Sequence, residues 1–483
     1  MLTIDIELCI VIVSYDYKIT NKGGALMIFR QTDPLHDRSI GLCDCNNFFA
    51  SCERIIDKTL IGVPVIVLSS NDGCVIARSN ESKKLGIKMG EPYFKIKNFC
   101  EARGVKVRSS NLAFYSKISA SVMDCIRRYT DQIEVYSIDE AFINLNIKSI
   151  DDPVAYCRSL REAVWRKCRI PISIGIGPNK TLAKLSAEMA KKSPEKAGVF
   201  WMKKELYSDR DGFMKSIPCS EIWMIGKKTA DKLAQCGIRN VSQLLAADEV
   251  KIKKYFSIST LQTIWELGGQ KIYPLVEQHK PPQSIRVSRS FGTPLTTINE
   301  LTEPLMHFAA SAARQLRQQD LSAFKVGVYL STGFFADEAK RYHCFKQARF
   351  RSPLRYDQDI FSAVSGLLIE AYRPGYKYAK CGVSLDDLAG RTAIRQASLF
   401  DECDKEECDR KREKITKVAD MINDTFSHSL IRPAILFKPK DEEYKWLPKS
   451  EFRSDSAPMS PCFAPTGKNV NRSFKSHALD TLM

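Results

Sequence analysis

The 483-residue sequence lacks the segments that mark membrane proteins, secreted proteins and phosphate-loop enzymes. No apolar run approaches the roughly 18–20 residues that a membrane helix needs, and the longest, residues 8–13, has the length of a strand. The N-terminus shows no charged start followed by a small-residue cleavage site, and no GxxxxGK[ST] loop occurs. We therefore expect a soluble protein without a membrane partner.

Paired cysteines are also missing, although the sequence contains 16 cysteines. No CxxC pair occurs, and the cluster of Cys43, Cys45 and Cys52 has no nearby histidine. A structural zinc site needs four soft ligands at matched spacing, and none can be assembled from these residues. We expect free thiols in a reducing cytosol.

Positive charge is abundant and unevenly placed. The chain has 73 Lys and Arg against 56 Asp and Glu, a net charge of +17 and a pI near 9.1. Residues 401–483 contain 15 basic and 15 acidic residues, so the whole excess lies in residues 1–400. Such an excess favours a polyanionic partner, nucleic acid first and an acidic membrane surface second. The alternative is a generally basic protein without such a partner.

The length predicts roughly three or four domains of about 100–200 residues each. From residue 39 onwards strand-like and helix-like segments alternate, with strands expected at 40–44, 63–68, 133–136, 141–145 and 172–176 and a helix at 181–191. This mixed order favours an α+β core of the split βαβ type. Upstream, an Asn-Lys-Gly-Gly turn signal precedes Met27, and whether residues 1–26 are a true extension stays open.

The second half differs in pattern. Residues 217–245 are helix-like throughout, and residues 273–288, with three prolines, predict a stiff extended tether. A further α+β segment is expected at about 285–388, with strands at 325–330 and 380–385. A helix-compatible acidic stretch then precedes a tail that we expect to be disordered from residue 454.

Three carboxylates stand at expected strand ends. Asp44 ends one strand, and Asp139 and Glu140 lie between two others. Carboxylates in an apolar setting are costly unless their charge is compensated. Two Mg²⁺ ions would compensate it and would stabilise the attacking and leaving oxygens of a phosphoryl transfer. The alternative is a set of turn carboxylates in water.

Two loops and one strand are candidates for phosphate contact. The string GIGPNKT at 175–181 follows a strand and opens a helix, so its amides and Lys180 can face a phosphate; the alternative is an ordinary turn with a helix cap. Gly226, Lys227 and Lys228 fit a helix-hairpin-helix that presents amides and lysines to a DNA backbone. Residues 340–355 hold six basic and no acidic residues, which fits a strand that contacts phosphates or a merely solvated one.

A short linear motif follows the last expected folded segment. Gln396 precedes the pair Leu399 and Phe400. On an exposed peptide, these side chains can fill an apolar pocket on a partner protein.

Taken in order, five strings resemble the Y-family of translesion DNA polymerases over about residues 39–400, most closely its UmuC type, the catalytic subunit of bacterial DNA polymerase V. They are LCDCNNFFASCE at 42–53, NDGCVIARSNESKKLGIKMGEP at 71–92, YSIDEAF at 136–142, GIGPNKTLAKL at 175–185 and SRSFG at 288–292. The resemblance implies a multidomain α+β right hand with a ferredoxin-like palm, small fingers, a helical thumb and an α+β little finger. The implied boundaries are 1–38 for an extension, 39–48 and 111–200 for the palm, 49–110 for the fingers, 201–272 for the thumb, 273–284 for the tether, 285–391 for the little finger and 392–483 for the C-terminal region.

The resemblance also implies roles for single residues. Asp44, Asp139 and Glu140, with the backbone carbonyl of Cys45, would bind two Mg²⁺ ions. Phe49 falls where the family places the steric gate against a ribose 2′-hydroxyl, and Phe48 would pack beside the sugar. The other implied contacts are Lys180 and Lys83 to the dNTP phosphates, and Arg289, Lys340, Arg341, Lys346, Arg349 and Arg351 to DNA.

Two positions depart from the family pattern. Asn80 stands where many relatives have a tyrosine that holds the phosphates, and Met224 replaces a glycine usual in the thumb hairpin.

The implied activity is low-fidelity, template-directed extension of primers past DNA lesions during the SOS response of a bacterium, in its cytoplasm. Its substrates would be primer-template DNA and dNTPs. The implied partners are the β sliding clamp, bound through Gln396, Leu399 and Phe400, a processed UmuD dimer and a RecA filament. Two other functions remain open, a non-catalytic protein that binds stalled primer ends or the clamp and a two-metal nuclease.

Overall fold

The structure, a computed structural model, describes residues 17–22, 25–30, 38–146, 150–277, 281–333, 341–390, 405–425, 446 and 450–453. Strands β1 (Tyr17–Lys22) and β2 (Ala25–Arg30) form an antiparallel hairpin around the turn signal at residues 21–24. Within these ranges, no helix combines the length and the apolar character that crossing a membrane requires.

A five-stranded sheet is built from residues 38–201 and is called the central sheet. Its strands are β3 (Arg38–Cys45), β7 (Ile133–Val135), β8 (Glu140–Asn146), β9 (Ile172–Gly177) and β10 (Val199–Trp201), in the spatial order β10-β9-β3-β8-β7. Strand β3 is antiparallel to both β8 and β9, and β10 alone is parallel to its neighbour β9. The four strands predicted in this region are confirmed, each shifted at its ends by one or two residues.

Helices cover both faces of the central sheet. Helices α4 (Leu112–Ile126) and α5 (Pro153–Cys168) pack on the face that carries Cys43 and Ile143. Helix α6 (Lys180–Lys192) packs on the opposite face, against Leu42 and Phe142. A Cβ on Gly175 would lie 2.1 Å from the backbone nitrogen of Ala187, so the glycine permits this close approach of α6 to β9. The helix predicted from periodicity is thus confirmed.

A three-stranded unit is inserted between β3 and α4. It contains α1 (Phe48–Ile56), β4 (Val65–Leu68), β5 (Val75–Arg78), α2 (Asn80–Lys84), α3 (Tyr93–Ala102) and β6 (Lys106–Ser109), with strand order β5-β4-β6. Residues 450–453 lie along the outer edge of β6. There the Ser109 amide donates to the Phe452 carbonyl at 3.1 Å, and the Phe452 amide donates to the Ser109 hydroxyl at 3.0 Å. The Phe452 ring meets the Tyr93 ring edge-on at 5.5 Å.

A helical unit follows the central sheet. Its helices are α7 (Lys204–Ser208), α8 (Lys227–Gln235), α9 (Val241–Leu245), α10 (Glu249–Tyr255) and α11 (Ile258–Leu267). Residues 217–226 contain turns and one short 3-10 segment, so the predicted helical content of 217–245 is confirmed only for α8 and α9. Met224 has φ of +68°. Only glycine adopts this backbone region freely, which explains why a glycine is usual at this position.

A four-stranded unit follows the helical unit. It consists of β11 (Ser284–Leu295), α12 (Ile298–Gln318), β12 (Leu321–Thr332), β13 (His343–Leu354), α13 (Asp357–Ala371) and β14 (Tyr378–Gly390). The strands pair antiparallel in the order β11-β14-β12-β13, and α12 and α13 contribute to the same apolar core as the sheet. The two predicted strands are confirmed but are longer. The prediction of a tether up to residue 288 is wrong, because β11 begins at Ser284 and pairs with β14 from there.

Helix α14 (Lys405–Thr425) lies beside the four-stranded unit and confirms the helix-compatible stretch. The Arg317 guanidinium of α12 binds both carboxylate oxygens of Asp420, at 2.8 and 3.1 Å. Trp446 packs near the ring of Phe308 on α12. The tail from residue 454, predicted to be disordered, lies outside the described residues.

Candidate active site

The three sequence-predicted carboxylates meet at one end of the central sheet. Asp44 on β3 is the direct cross-strand partner of Glu140 on β8. Asp139 immediately precedes Glu140, and its carbonyl accepts from the Cys45 amide at 2.9 Å. Because β3 and β8 are adjacent and antiparallel, one strand's end meets the other strand's start, so residues far apart in sequence form one acidic site.

Each carboxylate already has a partner within the chain. The Lys191 ammonium lies 2.6 Å from Asp44 Oδ2, and the Lys184 ammonium lies 2.9 Å from Glu140 Oε2. The Ser137 hydroxyl donates to Asp139 Oδ1 at 2.6 Å. Among the described residues, no three Asp, Glu, His or Cys side chains converge closely enough to hold an ion as they stand. The backbone brings the carboxylates together, and each of them is hydrogen-bonded to one of the two lysines or to the serine.

Burial makes the ionised form of two of these carboxylates unfavourable. Burial raises the pKa of Asp44 to about 8, with Glu140 and Asp139 adding to the rise and Lys191 opposing it. Burial also raises the pKa of Asp139, opposed by the Ser137 hydrogen bond and reinforced by Glu140. A buried carboxylate with a raised pKa is one whose charge is incompletely compensated. Hard oxygen ligands with uncompensated charge fit a divalent cation such as Mg²⁺.

Helix α6 supplies three lysines to this region, and only one of them was singled out from the sequence. Lys180 is 4% exposed, and its ammonium lies 2.5 Å from Glu134 Oε2 on β7. Lys184 and Lys191 follow at i+4 and i+11, positions that share a helix face with Lys180. The structure therefore brings Lys184 and Lys191, which the sequence reasoning missed, to the carboxylates. This spacing was the signal that could have identified them.

The three-stranded unit adds further cations near Asp44. Burial lowers the pKa of Lys83, and the nearby charges of Arg78 and Lys191 lower it further. The charges of Glu188 and Asp44 oppose this shift, so the Lys83 ammonium lies near the acidic site as well as near Lys191. Asn80, one of the two departures from the family pattern, accepts a hydrogen bond on its Oδ1 from the side-chain Nδ2 of Asn47 at 2.9 Å.

Phe48 and Phe49 begin α1, directly after the turn that follows Asp44 and Cys45. Their rings lie 5.7 Å apart, and both side chains are buried. Asn47 makes this turn with φ of +51°, a left-handed conformation that asparagine tolerates better than most residues. The turn places the two aromatic residues beside the acidic site.

The candidate DNA contacts lie on two separate surfaces. Gly226 is the N-cap of α8, and Lys227 and Lys228 are exposed on its first turn. The basic side chains of the four-stranded unit are exposed on or just before β13, namely Arg341, Lys346, Arg349 and Arg351. Arg289 on β11 is only half-exposed and donates to the Ser288 carbonyl at 3.0 Å. Lys340, Gln396, Leu399 and Phe400 lie outside the described residues.

Comparison with known sequences identifies a family. The pattern of the impB/mucB/samB family matches residues 43–188, and that of its C-terminal domain matches residues 282–399. The chain is 35% identical to the protein ImpB of Salmonella typhimurium over 386 residues, which cover 79% of this chain and 89% of that protein. It is 34% identical to the protein UmuC of the same species, over 75% of this chain and 85% of that protein.

More distant matches agree with these. DNA polymerase IV of Bacillus anthracis is 25% identical over 88% of this chain and over its own full length. A solved Y-family DNA polymerase chimera superposes with a TM-score of 0.59, at 20% identity, over 73% of this chain and 99% of the chimera. At that identity the superposition shows a shared fold, and the fold is that of the right-handed polymerase.

Proposed function

Because the chain belongs to the impB/mucB/samB family and is a Y-family translesion DNA polymerase of the UmuC type, we propose that Asp44, Asp139 and Glu140 form its two-metal nucleotidyl-transfer site. Polymerases of this family use divalent ions, and we propose Mg²⁺, with the Cys45 carbonyl as a further ligand. In this assignment, the central sheet with α4–α6 is the palm, the three-stranded unit the fingers, the helical unit the thumb and the four-stranded unit the little finger.

A single observation carries the proposal: two adjacent antiparallel strands bring three acidic residues together. The pKa of Asp44, which burial raises to about 8, is consistent with it. Ions bound there would activate the primer hydroxyl and neutralise the charge that develops on the phosphates. In the reaction, the primer 3′-oxygen forms a bond to the α-phosphorus of a dNTP, the bond from α-phosphorus to the bridging oxygen breaks, and pyrophosphate leaves. Catalysis of this kind depends mainly on positioning and charge stabilisation.

The lysines around the carboxylates would bind the triphosphate. We assign this role to Lys191 and Lys83, since Lys83 is held near Lys191 and neither side chain is fully buried. Once Asp44 has another counter-charge, the Lys191 ammonium is free to turn toward phosphate oxygens. The sequence-based assignment of the same role to Lys180 is not retained in the proposal, because that ammonium is buried against Glu134. Phe49 remains the proposed steric gate and Phe48 its neighbour beside the sugar.

Contacts to the duplex are proposed for two surfaces. The first turn of α8 directs backbone amides outward, and Lys227 and Lys228 add charge there. Strand β13 presents exposed basic side chains, and Arg349 is balanced in part by Asp387 at 2.7 Å. Binding that rests on such phosphate contacts should weaken steeply with salt.

Further partners are proposed from the family resemblance alone. Gln396, Leu399 and Phe400 would bind the β sliding clamp, and a processed UmuD dimer and a RecA filament would activate synthesis in the bacterial cytoplasm. Replacing both Leu399 and Phe400 with alanine should abolish capture by the clamp and spare extension in its absence. Retained capture by the double variant would mean that the clamp contact lies elsewhere in the chain.

Primer extension with Mg²⁺ and dNTPs, across normal and abasic templates, tests the central proposal. Asp139→Ala should abolish extension at every concentration of Mg²⁺. Asp124→Ala is a matched control, because Asp124 is a partly exposed carboxylate on α4 that pairs only with Arg127 in the described contacts, at 2.6 Å. The assay is run with and without the partner proteins. Extension that survives in purified Asp139→Ala would refute the site assignment.

The same assay separates the two alternative functions. Tight, salt-sensitive binding to primer-template without extension under any condition would identify a non-catalytic protein. Release of nucleotides without added dNTPs would identify a nuclease.

A further inference from the structure

A buried aromatic and acidic cluster, not used in the mechanism above, lies behind Phe49. The ring of Tyr115, on α4, stacks on the Phe49 ring with centroids 4.6 Å apart and planes 20° from parallel. The Tyr115 hydroxyl donates to Glu53 Oε1 at 2.5 Å. Tyr115 and Glu53 are both fully buried.

The cluster contacts α1 at two points one helical turn apart. Glu53 follows Phe49 by four residues on α1, so the two side chains lie on one face of the helix. Tyr115 contacts Phe49 with its ring and Glu53 with its hydroxyl. The Tyr115 side chain on α4 therefore restrains both the position of the Phe49 ring and the rotation of α1 about its own axis.

Glu53 is a carboxylate at full burial, which proteins normally avoid. Its presence here therefore needs a structural reason. A buried carboxylate is tolerated when it is paired and hydrogen-bonded. Arg108 supplies charge from β6, with its Nε 3.8 Å from Glu53 Oε2, and also binds Asp57 at 3.0 Å. The pair of Tyr115 and Glu53 is thus held from the fingers as well as from the palm.

We propose that Tyr115, held by Glu53, is a positioning residue for sugar selection. It prevents a ribose 2′-hydroxyl from displacing the Phe49 ring. This inference rests on the proposed role of Phe49 as the steric gate. A gate discriminates only if it resists displacement, because misplacing groups by about 1 Å in a reacting site can change rates by about 100-fold. Stacking alone allows the ring to slide, whereas the hydroxyl contact to the same helix prevents it.

The measurement is the ratio of single-turnover efficiencies for a dNTP and the matching rNTP. We expect Tyr115→Leu, which removes both contacts, to lower this ratio about tenfold, mainly by raising rNTP efficiency, and Tyr115→Phe to lower it about threefold. Glu53→Gln keeps an acceptor for the hydroxyl, so its ratio should stay within about twofold of the wild-type value. Tyr156→Phe is the matched control. Tyr156 lies on α5, and the substitution removes a hydroxyl that donates to the Tyr129 carbonyl at 2.6 Å.

A double-mutant cycle distinguishes positioning from general loosening of the palm. In a Phe49→Ala background no gate remains, so Tyr115→Leu should change the sugar ratio no further. A merely structural role would lower dNTP and rNTP efficiencies together and leave the ratio unchanged. If Tyr115→Leu does not fold, Tyr115→Phe carries the same comparison.

The outcomes also separate this inference from the proposed gate. A ratio that changes in Phe49→Ala but stays at the wild-type value in both Tyr115 variants overturns the inference and retains the gate. A ratio that Tyr115→Phe and Tyr156→Phe lower equally also overturns the inference. A ratio unchanged in Phe49→Ala overturns the gate and the inference together, while the carboxylate site is still judged by Asp139→Ala.

Discussion

Replacing Lys180 by methionine should strongly destabilise the fold and leave the affinity for dNTP nearly unchanged. The Lys180 ammonium lies 2.5 Å from Glu134 Oε2, and both side chains are more than nine-tenths buried. Methionine keeps an unbranched apolar side chain at this position, but it removes the ammonium that lies 5.1 Å from the Phe142 ring centroid and leaves the carboxylate without its cation. Breaking a buried ion pair by removing one partner costs about 3–5 kcal/mol.

This cost has a ceiling, because the remaining carboxyl group can take up a proton. Neutralising an ordinary glutamate at pH 7 costs about 3.7 kcal/mol, and at pH 5 about 1 kcal/mol. The Val276 amide still donates to the same Glu134 oxygen at 2.7 Å in the variant. This remaining hydrogen bond partly stabilises the carboxylate, so the loss of folding stability should not exceed the cost of protonation. Since the variant tolerates the protonated form best, its loss of stability should shrink as the pH falls from 7 to 5.

Urea denaturation followed by circular dichroism at pH 7 and pH 5 measures this loss. Lys192→Met is the control on the same helix, because the Lys192 pair with Glu221 is exposed and such pairs contribute about 0–1 kcal/mol. Adding Glu134→Gln to Lys180→Met should restore most of the stability. An unchanged urea midpoint at pH 7, together with a raised KM for dNTP, would refute the reasoning and return Lys180 to the triphosphate.

Three further predictions concern other parts of the chain. Lys191→Met should raise the KM for dNTP about tenfold, the effect of losing one charge-assisted phosphate contact, and steady-state kinetics showing an unchanged KM would contradict the assignment. Without divalent ions, Asp44→Asn should become progressively more stable than the wild type between about pH 4 and pH 8. The reason is that the raised pKa of Asp44, about 8 against 3.8, costs folding energy wherever the unfolded chain is ionised; parallel urea midpoints across this range would contradict it. Arg317→Ala should weaken the binding of α14 to the four-stranded unit by about 2–4 kcal/mol, because it removes both hydrogen bonds to Asp420. Limited proteolysis should then cleave residues 405–425 faster. An unchanged cleavage rate would argue that α14 does not dock through this contact.

Much of the fold follows from local sequence signals. Most strands of the central sheet are short, largely apolar segments, and the turn between β9 and α6 contains the cap residue Asn179, whose side chain accepts from the Leu182 amide at 2.9 Å. Both signals are local, so they could be read without knowledge of neighbours. The meeting of the three carboxylates was also predictable, because these residues lie at the ends of predicted strands and match the family's motifs.

The ion-pair partners of the lysines were not predictable in the same way. Lys180, Lys184 and Lys191 share a face of α6, and which of them is buried depends on where β7 brings Glu134. That placement is set by strand order in the central sheet, a non-local property. The docking of residues 450–453 on β6 joins positions more than 300 residues apart and likewise left no local signal.

The segment at residues 450–453 matters to anyone who shortens this protein. Strand β6 ends its sheet, and its outer side is occupied by the backbone of Phe452, whose ring also shields Tyr93. A chain cut before residue 450 would bare an unpaired strand edge next to an apolar ring, a combination that promotes aggregation. Truncations meant to remove only the C-terminal tail should therefore end after Arg453, and poor solubility of shorter forms would reflect an uncovered edge rather than a failure of the polymerase core to fold.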